Sequence, residues 1–339
     1  MRIAIHKNKS GFTKYWISYC EKNRIPFTMV DAFSTGILKN ISDCTHFFWH
    51  LSHESFQDQL ISKQLIQAME SSGIKVFPST KHLWHFDDKV AQKYFFDIHG
   101  FNHARTDIYF SNREAIRASQ LREYPFVMKL RRGSASSNVF LIKSPIQARL
   151  KIWKSFNRGY SLYNVFSRYS DIVRKEPNVI KKFLLFLKWP LRYVFPPKYS
   201  RLAAKERGYV MMQDFIPNKG EDIRVVVAGN RAVALKRIVR AGDFRASGSG
   251  NMSYPNEHLD KDIVATAFDI ADKLEVGSIG IDFIQGKDGN NYVIEMSYGF
   301  PSENFLEGAS GSWNRDGKFL EEPIHVQDWI LEEMIGQKT

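Results

Sequence analysis

The chain has 339 residues, 43% hydrophobic and 25% charged, which suffices for two or three folded domains and excludes a disordered polypeptide. Its net charge of +12 is local: residues 151–205 hold 13 Lys/Arg against 2 Asp/Glu, and the remainder 35 against 34, which excludes a basic surface spread over the whole molecule. No eighteen-residue apolar run proposes a membrane span, the start MRIAIHKNKS lacks the apolar stretch of a signal peptide, and Cys20 and Cys44 have no metal-ligand spacing, so a cytoplasmic protein with reduced thiols is expected.

Residues 1–80 alternate strand-like and helix-like runs. RIAIH, FTMV, THFFWHLS and IKVFPS read as strands; GFTKYWISYCEKN and SFQDQLISKQLIQAME read as helices between them. That alternation implies a parallel sheet covered by helices. Asp87-Asp88-Lys89 then opens an amphipathic helix, with Asp87 or Asp88 as its cap and Gly100 at its end. From about residue 105 the pattern changes to short strands with hairpin-like connections: TDIYF, PFVMKL, NVFLI, YVMMQDF, DIRVVVA, RAVALKRIV, GIDFI and YVIEM. The expected fold class is an N-terminal parallel α/β domain (1–80) followed by a two-lobed α+β region. Its lobes are 81–150 and 206–339, separated by a basic, helical insertion at 151–205.

Three stretches carry chemistry. In YPFVMKLRRGSASSNVFLIKS, Lys129 ends an apolar strand and the small residues Gly133 to Asn138 lead into the next. Small residues let backbone N–H groups and hydroxyls approach a polyphosphate, with Lys129, Arg131 or Arg132 balancing its charge; a Gly/Ser hairpin with solvated arginines is the alternative. Next, a strand ends at Gln213-Asp214-Phe215-Ile216, Asp222 and Arg224 open another, and Arg237, Arg240 and Arg245 flank a Ser/Gly-rich loop suited to an anionic substrate. Arg and Lys guarding an exposed sheet edge explain the same pattern without a ligand. Third, IGIDFIQGKDGNNYVIEMSYGFPS places Asp282 and Glu295 in two apolar strands around a turn. Two carboxylates buried side by side repel, and a divalent cation would offset that cost. Mg²⁺ characteristically takes one or two carboxylates plus substrate phosphates. Alternation that leaves both acids in solvent is the competing reading. His46, His50 and His53 in THFFWHLSHES lack a metal-site pattern and read as strand-end histidines.

The basic segment interleaves cations with aromatics: Trp153, Phe156, Tyr160 and Tyr163 fall near one helical face, and FLLFLKWPLRYVF is too broken by Lys188 and Pro190 to span a bilayer. An in-plane helix on an anionic membrane surface, an insertion packed on the body, and nucleic-acid binding all fit this composition, the last of them least.

In order and spacing, these stretches resemble the ATP-grasp superfamily from about Pro78 onward, most closely its carboxylate–amine ligase branch. ALKRIVRAGDFRASGSGN resembles the corresponding stretch of ribosomal-protein glutamate ligases, and KLRRGSASSNV the glycine-rich loop of D-alanine–D-alanine ligases. The resemblance implies ATP as a substrate and Mg²⁺, or alternatively Mn²⁺, as cofactor. It implies Lys89 and Lys129 at the nucleotide, and Gly133, Ser134, Ser136 and Ser137 in a loop over the phosphates. Gln213, Asp214, Phe215 and Ile216 would hold adenine, and Asp222 the ribose. Arg224, Arg237 and Arg245 would face phosphate or acyl substrate. Asp282 and Glu295 would hold the metal, with Ser297 as a third ligand where the family usually has Asn. The implied reaction joins a small-molecule or glycan carboxylate to the amine of an amino acid through an acylphosphate. Attachment to the inner face of the cell membrane through 151–205 would suit a polysaccharide precursor. A phosphotransferase or a non-catalytic nucleotide-binding module are the alternatives.

Overall fold

The computed structural model describes every residue except 9–10, 134–137, 163–177, 179–180, 182–183, 185–194, 196–197, 240–250, 301–305, 307 and 337–339. Strands β1 (Ile3–His6), β2 (Phe27–Val30), β3 (His46–Phe48) and β4 (Lys75–Phe77) pair in parallel in the order β2-β1-β3-β4. Helices α1 (Thr13–Lys22), α2 (Ile37–Asn40) and α3 (Phe56–Ser71) cross between them, as parallel pairing requires. The short helix α4 (Thr80–Leu83) leads to α5 (Lys89–His99), which ends at Gly100 in the left-handed conformation, φ +69°. Asp88 is its cap, accepting from the amides of Val90 and Ala91. Asp87 is thereby left to other partners.

Strands β5 (Thr106–Tyr109), β6 (Phe126–Lys129), β7 (Val139–Ile142) and β8 (Val210–Asp214) form an antiparallel sheet in the order β5-β8-β6-β7. Helices α6 (Asn112–Leu121) and α7 (Pro145–Asn157) pack together with its core residues Phe126, Met128, Ile142 and Met212. Helix α7 stops at Asn157, before Gly159 at φ +66°. The expected single face running to Tyr163 therefore breaks. Tyr160 instead leaves the helix, bridges Glu206 and buries its ring against Phe140, 5.2 Å away. Tyr163 and most of the basic segment lie outside the described residues; the helix α8 (Lys198–Leu202) closes it.

The third sheet holds β9 (Glu221–Ala228), β10 (Arg231–Ile238), β11 (Met252–Ser253), β12 (Ser278–Gln285), β13 (Asn291–Ser297), β14 (Gly311–Asn314) and β15 (Phe319–Glu321). Its order is β13-β12-β9-β10-β14-β15, with β11 paired to β10. All eight strands expected after residue 105 form; β11, β14 and β15 are additional.

Alternation in β9 gives this sheet two different faces. Ile223, Val225 and Val227 point one way with Ile281 and Phe283, onto helix α9 (Lys261–Leu274). That helix buries Ile263, Phe268, Ile270 and Leu274 among others, each worth about 2 kcal/mol relative to exposure. Val226 and Ala228 point the other way with Val233 and Leu235, into a core shared with Trp16, Phe48 and Phe77 of the N-terminal sheet. Helix α10 (Val326–Ile335) joins that core through Trp329 and Ile330, and its Gln327 carbonyl accepts from the Trp16 indole at 3.2 Å. A single hydrophobic core therefore crosses the expected boundary at residue 80. It fixes the N-terminal sheet against the lobe that carries the acids.

Candidate active site

The second face of the large sheet changes character along its length. Apolar at Val226 and Leu235, it becomes charged at Arg224, Asp222 and Arg237, one alternation step further on. Register then assembles the charges. Asp222 lies opposite Arg237, Arg224 opposite Asp282, and Asp282 opposite Glu295, so all five side chains emerge on one face of four adjacent strands. The β12–β13 register shifts just beyond Asp282, where Val293 pairs with Phe283 and Ile294 is the extra residue. Ile294 accordingly lines the cleft beside Glu295.

Both oxygens of Asp282 accept from guanidinium groups. Arg224 donates through Nε to one and through Nη2 to the other at 2.7 Å, and Arg237 donates through Nη2 at 2.8 Å. Arg237 also forks onto Asp222, at 2.6 and 2.8 Å. Burial alone would raise the pKa of Asp282, but Arg224 and Arg237 hold it well below the carboxylate range, so it stays ionised. Burial pushes Asp222 up to about 6, with Arg237 opposing and Asp282 adding to the rise.

Two lysines join them, one from α5, whose Phe95 and Phe96 pack in the core of the large sheet, and one from β6 of the facing lobe. Lys89, the first residue of α5, is buried and gives its ammonium to Glu295 Oε1 at 2.9 Å and to the Gly133 carbonyl at 2.9 Å. Burial opposes its charge, but Glu295 and Asp87 outweigh that and raise its pKa. Lys129 ends β6, also buried. Burial lowers its pKa to about 8, Glu295 resists the fall, and Lys89 adds to it. Two ammonium groups and a guanidinium pair are thus held close together in partial desolvation, an arrangement that awaits more negative charge than the protein supplies.

A single cleft gathers most of the expected site. Lys89, Lys129, Gly133, Asp222, Asp282 and Glu295 line it together with the β8 exit, Gln213-Asp214-Phe215-Ile216, while Val127, Val139 and Ile284 supply apolar surface. Such a cleft, combining apolar surface, a polar strand edge and cations, suits a planar base joined to phosphates. Gln213 is fixed by its amide donating to Thr106 Oγ1 at 2.9 Å, and Asp214 by Arg122 at 3.0 Å. Ser134, Ser136, Ser137, Arg240 and Arg245 lie outside the described residues. Ser297 is on β13, two residues after Glu295, but its hydroxyl donates to the Gly299 carbonyl at 3.0 Å and accepts from the Gly299 amide at 3.2 Å, and it does not line the cleft.

Two residues near the site were not singled out for it by sequence. His50 lies flat on Phe12, 4.0 Å between ring centres, and its Nδ1 accepts from the Phe12 amide at 3.1 Å. Burial takes its pKa down to about 4, so it is neutral. Gly11 makes room for it: at φ +86° a β-carbon there would meet the imidazole at 1.8 Å. The other is Asp87, whose Oδ1 accepts from the Gly133 amide at 2.8 Å. Nothing local marks either role, since both depend on which strand ends the fold brings together.

The donor set suits Mg²⁺. Among the described residues no group of three His, Cys, Asp or Glu side chains could hold a metal. Asp282 and Glu295 are two hard oxygen donors on one face, and Mg²⁺ bound through two carboxylates completes its shell with phosphates and water. When bound there, the ion would neutralise phosphate charge; Asp282, kept ionised by its arginines, and Glu295 are the residues that would hold it.

A parallel N-terminal sheet, an antiparallel lobe ending in a lysine-bearing strand, and a second antiparallel lobe with paired acids make the ATP-grasp fold. Solved ATP-grasp structures superpose on most of the chain. They include a RimK domain ATP-grasp protein from Sphaerobacter thermophilus, TM-score 0.53 at 15% identity over 87% of this chain and 90% of that one. D-alanine–D-alanine ligase from Bacillus anthracis gives TM-score 0.53 at 13% identity over 88% and 86%. More particularly, residues 198–307 match the RimK-like ATP-grasp domain. A probable alpha-L-glutamate ligase of Vibrio vulnificus is 35% identical over 109 residues, 32% of this chain and 35% of that protein, so the chain aligns with about a third of that curated relative's length.

Proposed function

We propose that the protein is an ATP- and Mg²⁺-dependent carboxylate–amine ligase that forms an amide through an acylphosphate. The observation carrying this reading is the cleft itself, where Lys89, Lys129, Arg224 and Arg237 converge on a face bearing Asp222, Asp282 and Glu295. The substrate carboxylate attacks the γ-phosphorus of ATP, the β–γ bridging bond breaks, and ADP leaves. The amine then attacks the acyl carbon, phosphate departs, and the amine's proton is released. Two anions must meet in the first step, so the contribution asked of this chain is charge placement. Lys89 and Lys129 face the phosphates, and Arg237 and Arg224 stabilise charge on the transferring group while keeping Asp282 ionised. No protein nucleophile is required.

The matching relatives support a small acid and an amino acid as the joined pair. The cationic, aromatic composition of 151–205 supports holding the enzyme on an anionic leaflet, where one partner is a glycan precursor. ADP release tested against panels of amino acids and uronic acids decides the chemistry. Release that requires both an acid and an amine is expected. Release with one acceptor alone, leaving a stable phosphorylated product, would make the protein a phosphotransferase, and nucleotide binding without turnover would make it a sensor. Flotation with anionic vesicles, full chain against a deletion of 151–205, tests the leaflet; equal partitioning removes that part of the reading.

A further inference from the structure

Helix α5 begins after two aspartates with different tasks. Asp88 caps the helix through Val90 and Ala91, and its second oxygen accepts from Arg131 at 3.0 Å. Asp87 serves no helix end. It sits in the left-handed conformation at φ +52°, uncommon outside Gly, Asn and Asp, with 8% of its surface exposed. Its carboxylate is left to partners outside the helix. One oxygen takes the Gly133 amide at 2.8 Å; the other lies 3.8 Å from Nδ1 of His53, a buried nitrogen with no hydrogen-bond partner among the described residues. His53 itself stacks on Phe86, 4.3 Å away. Gly133 is thereby gripped from both sides: its N–H by Asp87, its carbonyl by the Lys89 ammonium, which also holds Glu295.

We infer that Asp87 is a positioning residue for nucleotide binding: by fixing Gly133 it aims the Lys89 ammonium into the cleft. An ammonium has three protons. Two are committed to Gly133 and Glu295, so the third has one direction left, set by where those two acceptors stand. Without Asp87 the Gly133 residue loses one of its two anchors and Lys89 loses a fixed acceptor. Burial would favour a neutral Asp87, but His53, Lys89 and the Gly133 amide keep it ionised and so a strong acceptor for that amide. The inference rests on the reading of the cleft as a nucleotide site.

Titration calorimetry with Mg·ADP on the full chain tests it, using variants that keep the left-handed backbone. Asp87→Gly, which deletes the acceptor, is expected to weaken binding roughly tenfold, the size expected for a hydrogen bond to a charged group. Asp87→Asn, which fits the same backbone and retains Oδ1, is expected to restore most of that. Placed in a Lys89→Met background, Asp87→Gly should cost less than about twofold, because its effect runs through Lys89. Wild-type affinity in Asp87→Gly, or an undiminished tenfold loss in the Lys89→Met background, overturns the inference alone. Absence of Mg·ADP binding by the wild type overturns it together with the nucleotide site.

Discussion

Replacing Lys129 by Met should make the unliganded protein more stable while crippling nucleotide binding. A buried lysine whose pKa is about 8, against 10.5 in water, holds its proton at pH 7 at a cost. At about 1.4 kcal/mol per tenfold, the difference is worth roughly 3 kcal/mol. The sign follows from linkage: between about 8 and 10.5 the folded state binds fewer protons than the unfolded chain, so stability rises with pH across that window, and the deficit is greatest below it. Methionine fills similar volume with no charge. Lys129→Met should therefore gain up to about 3 kcal/mol at pH 7 in denaturant unfolding, and the gain should fade as the pH approaches 10.5. Nucleotide phosphates supply the missing counter-charge, so wild-type binding at pH 8 should take up protons, seen as a dependence of calorimetric heat on buffer ionisation enthalpy. Lys129→Met should lose both affinity and proton uptake. A variant less stable than wild type at pH 7, or wild-type binding with no proton uptake at pH 8, would refute the reasoning.

The two acids of the hairpin should separate stability from turnover. Asp282→Asn removes the carboxylate charge that Arg224 and Arg237 share, and is expected to cost about 3 kcal/mol in unfolding as well as abolishing ADP release. Glu295→Gln, whose side chain is 31% exposed and whose amide oxygen can still accept from the buried Lys89, should cost less stability than Asp282→Asn and abolish ADP release equally; near-normal turnover in both variants defeats the metal assignment. For Asp222, protonated below about 6, the rate of ADP release should decline as pH drops from 7 to 5, and the decline should vanish in Asp222→Asn. A flat wild-type profile would show that its charge is not needed. Ser297→Ala should leave the half-saturating Mg²⁺ concentration unchanged, because its hydroxyl is spent on Gly299, whereas Ser297→Asn should lower it. A severalfold rise in Ser297→Ala would place that hydroxyl at the metal.

Much of this site is legible along the chain because strands announce themselves by alternation and helices by caps. Lys129 at a strand end, Lys89 after an acidic pair, and one acid in each arm of a hairpin are all local patterns. The convergence of those patterns on one cleft is a property of the fold, recognised in the sequence through family resemblance. What alternation does not supply is register. That Asp222 faces Arg237 and Asp282 faces Arg224 depends on the alignment of three strands, and a slip of one residue would send every one of those side chains to the α9 face. The paired acids therefore look in sequence as though they lack partners other than a metal, whereas the fold gives Asp282 two arginines. His50 and Asp87 escaped for a related reason, since their neighbours Phe12 and Gly133 are 38 and 46 positions away.

The arginines sharpen the case for a divalent cation. Four cations, Lys89, Lys129, Arg224 and Arg237, face three carboxylates, Asp222, Asp282 and Glu295. Their surplus is a single positive charge, far short of a triphosphate's. If the protein alone were to neutralise ATP, the acids would be a mistake, since every one of them repels the ligand. They make sense if they attract something positive that the nucleotide brings along. Protonating the acids is the other way to remove the repulsion, and the structure opposes it where it matters most: Arg224 and Arg237 hold the pKa of Asp282 well below the carboxylate range, so it is an ionised donor at neutral pH. Arg224 and Arg237 then have two consequences from one contact, stabilising a buried carboxylate without metal and keeping it ready for one. Glu295, paired among the described residues with Lys89 and partly exposed, is the acid best placed to change partners.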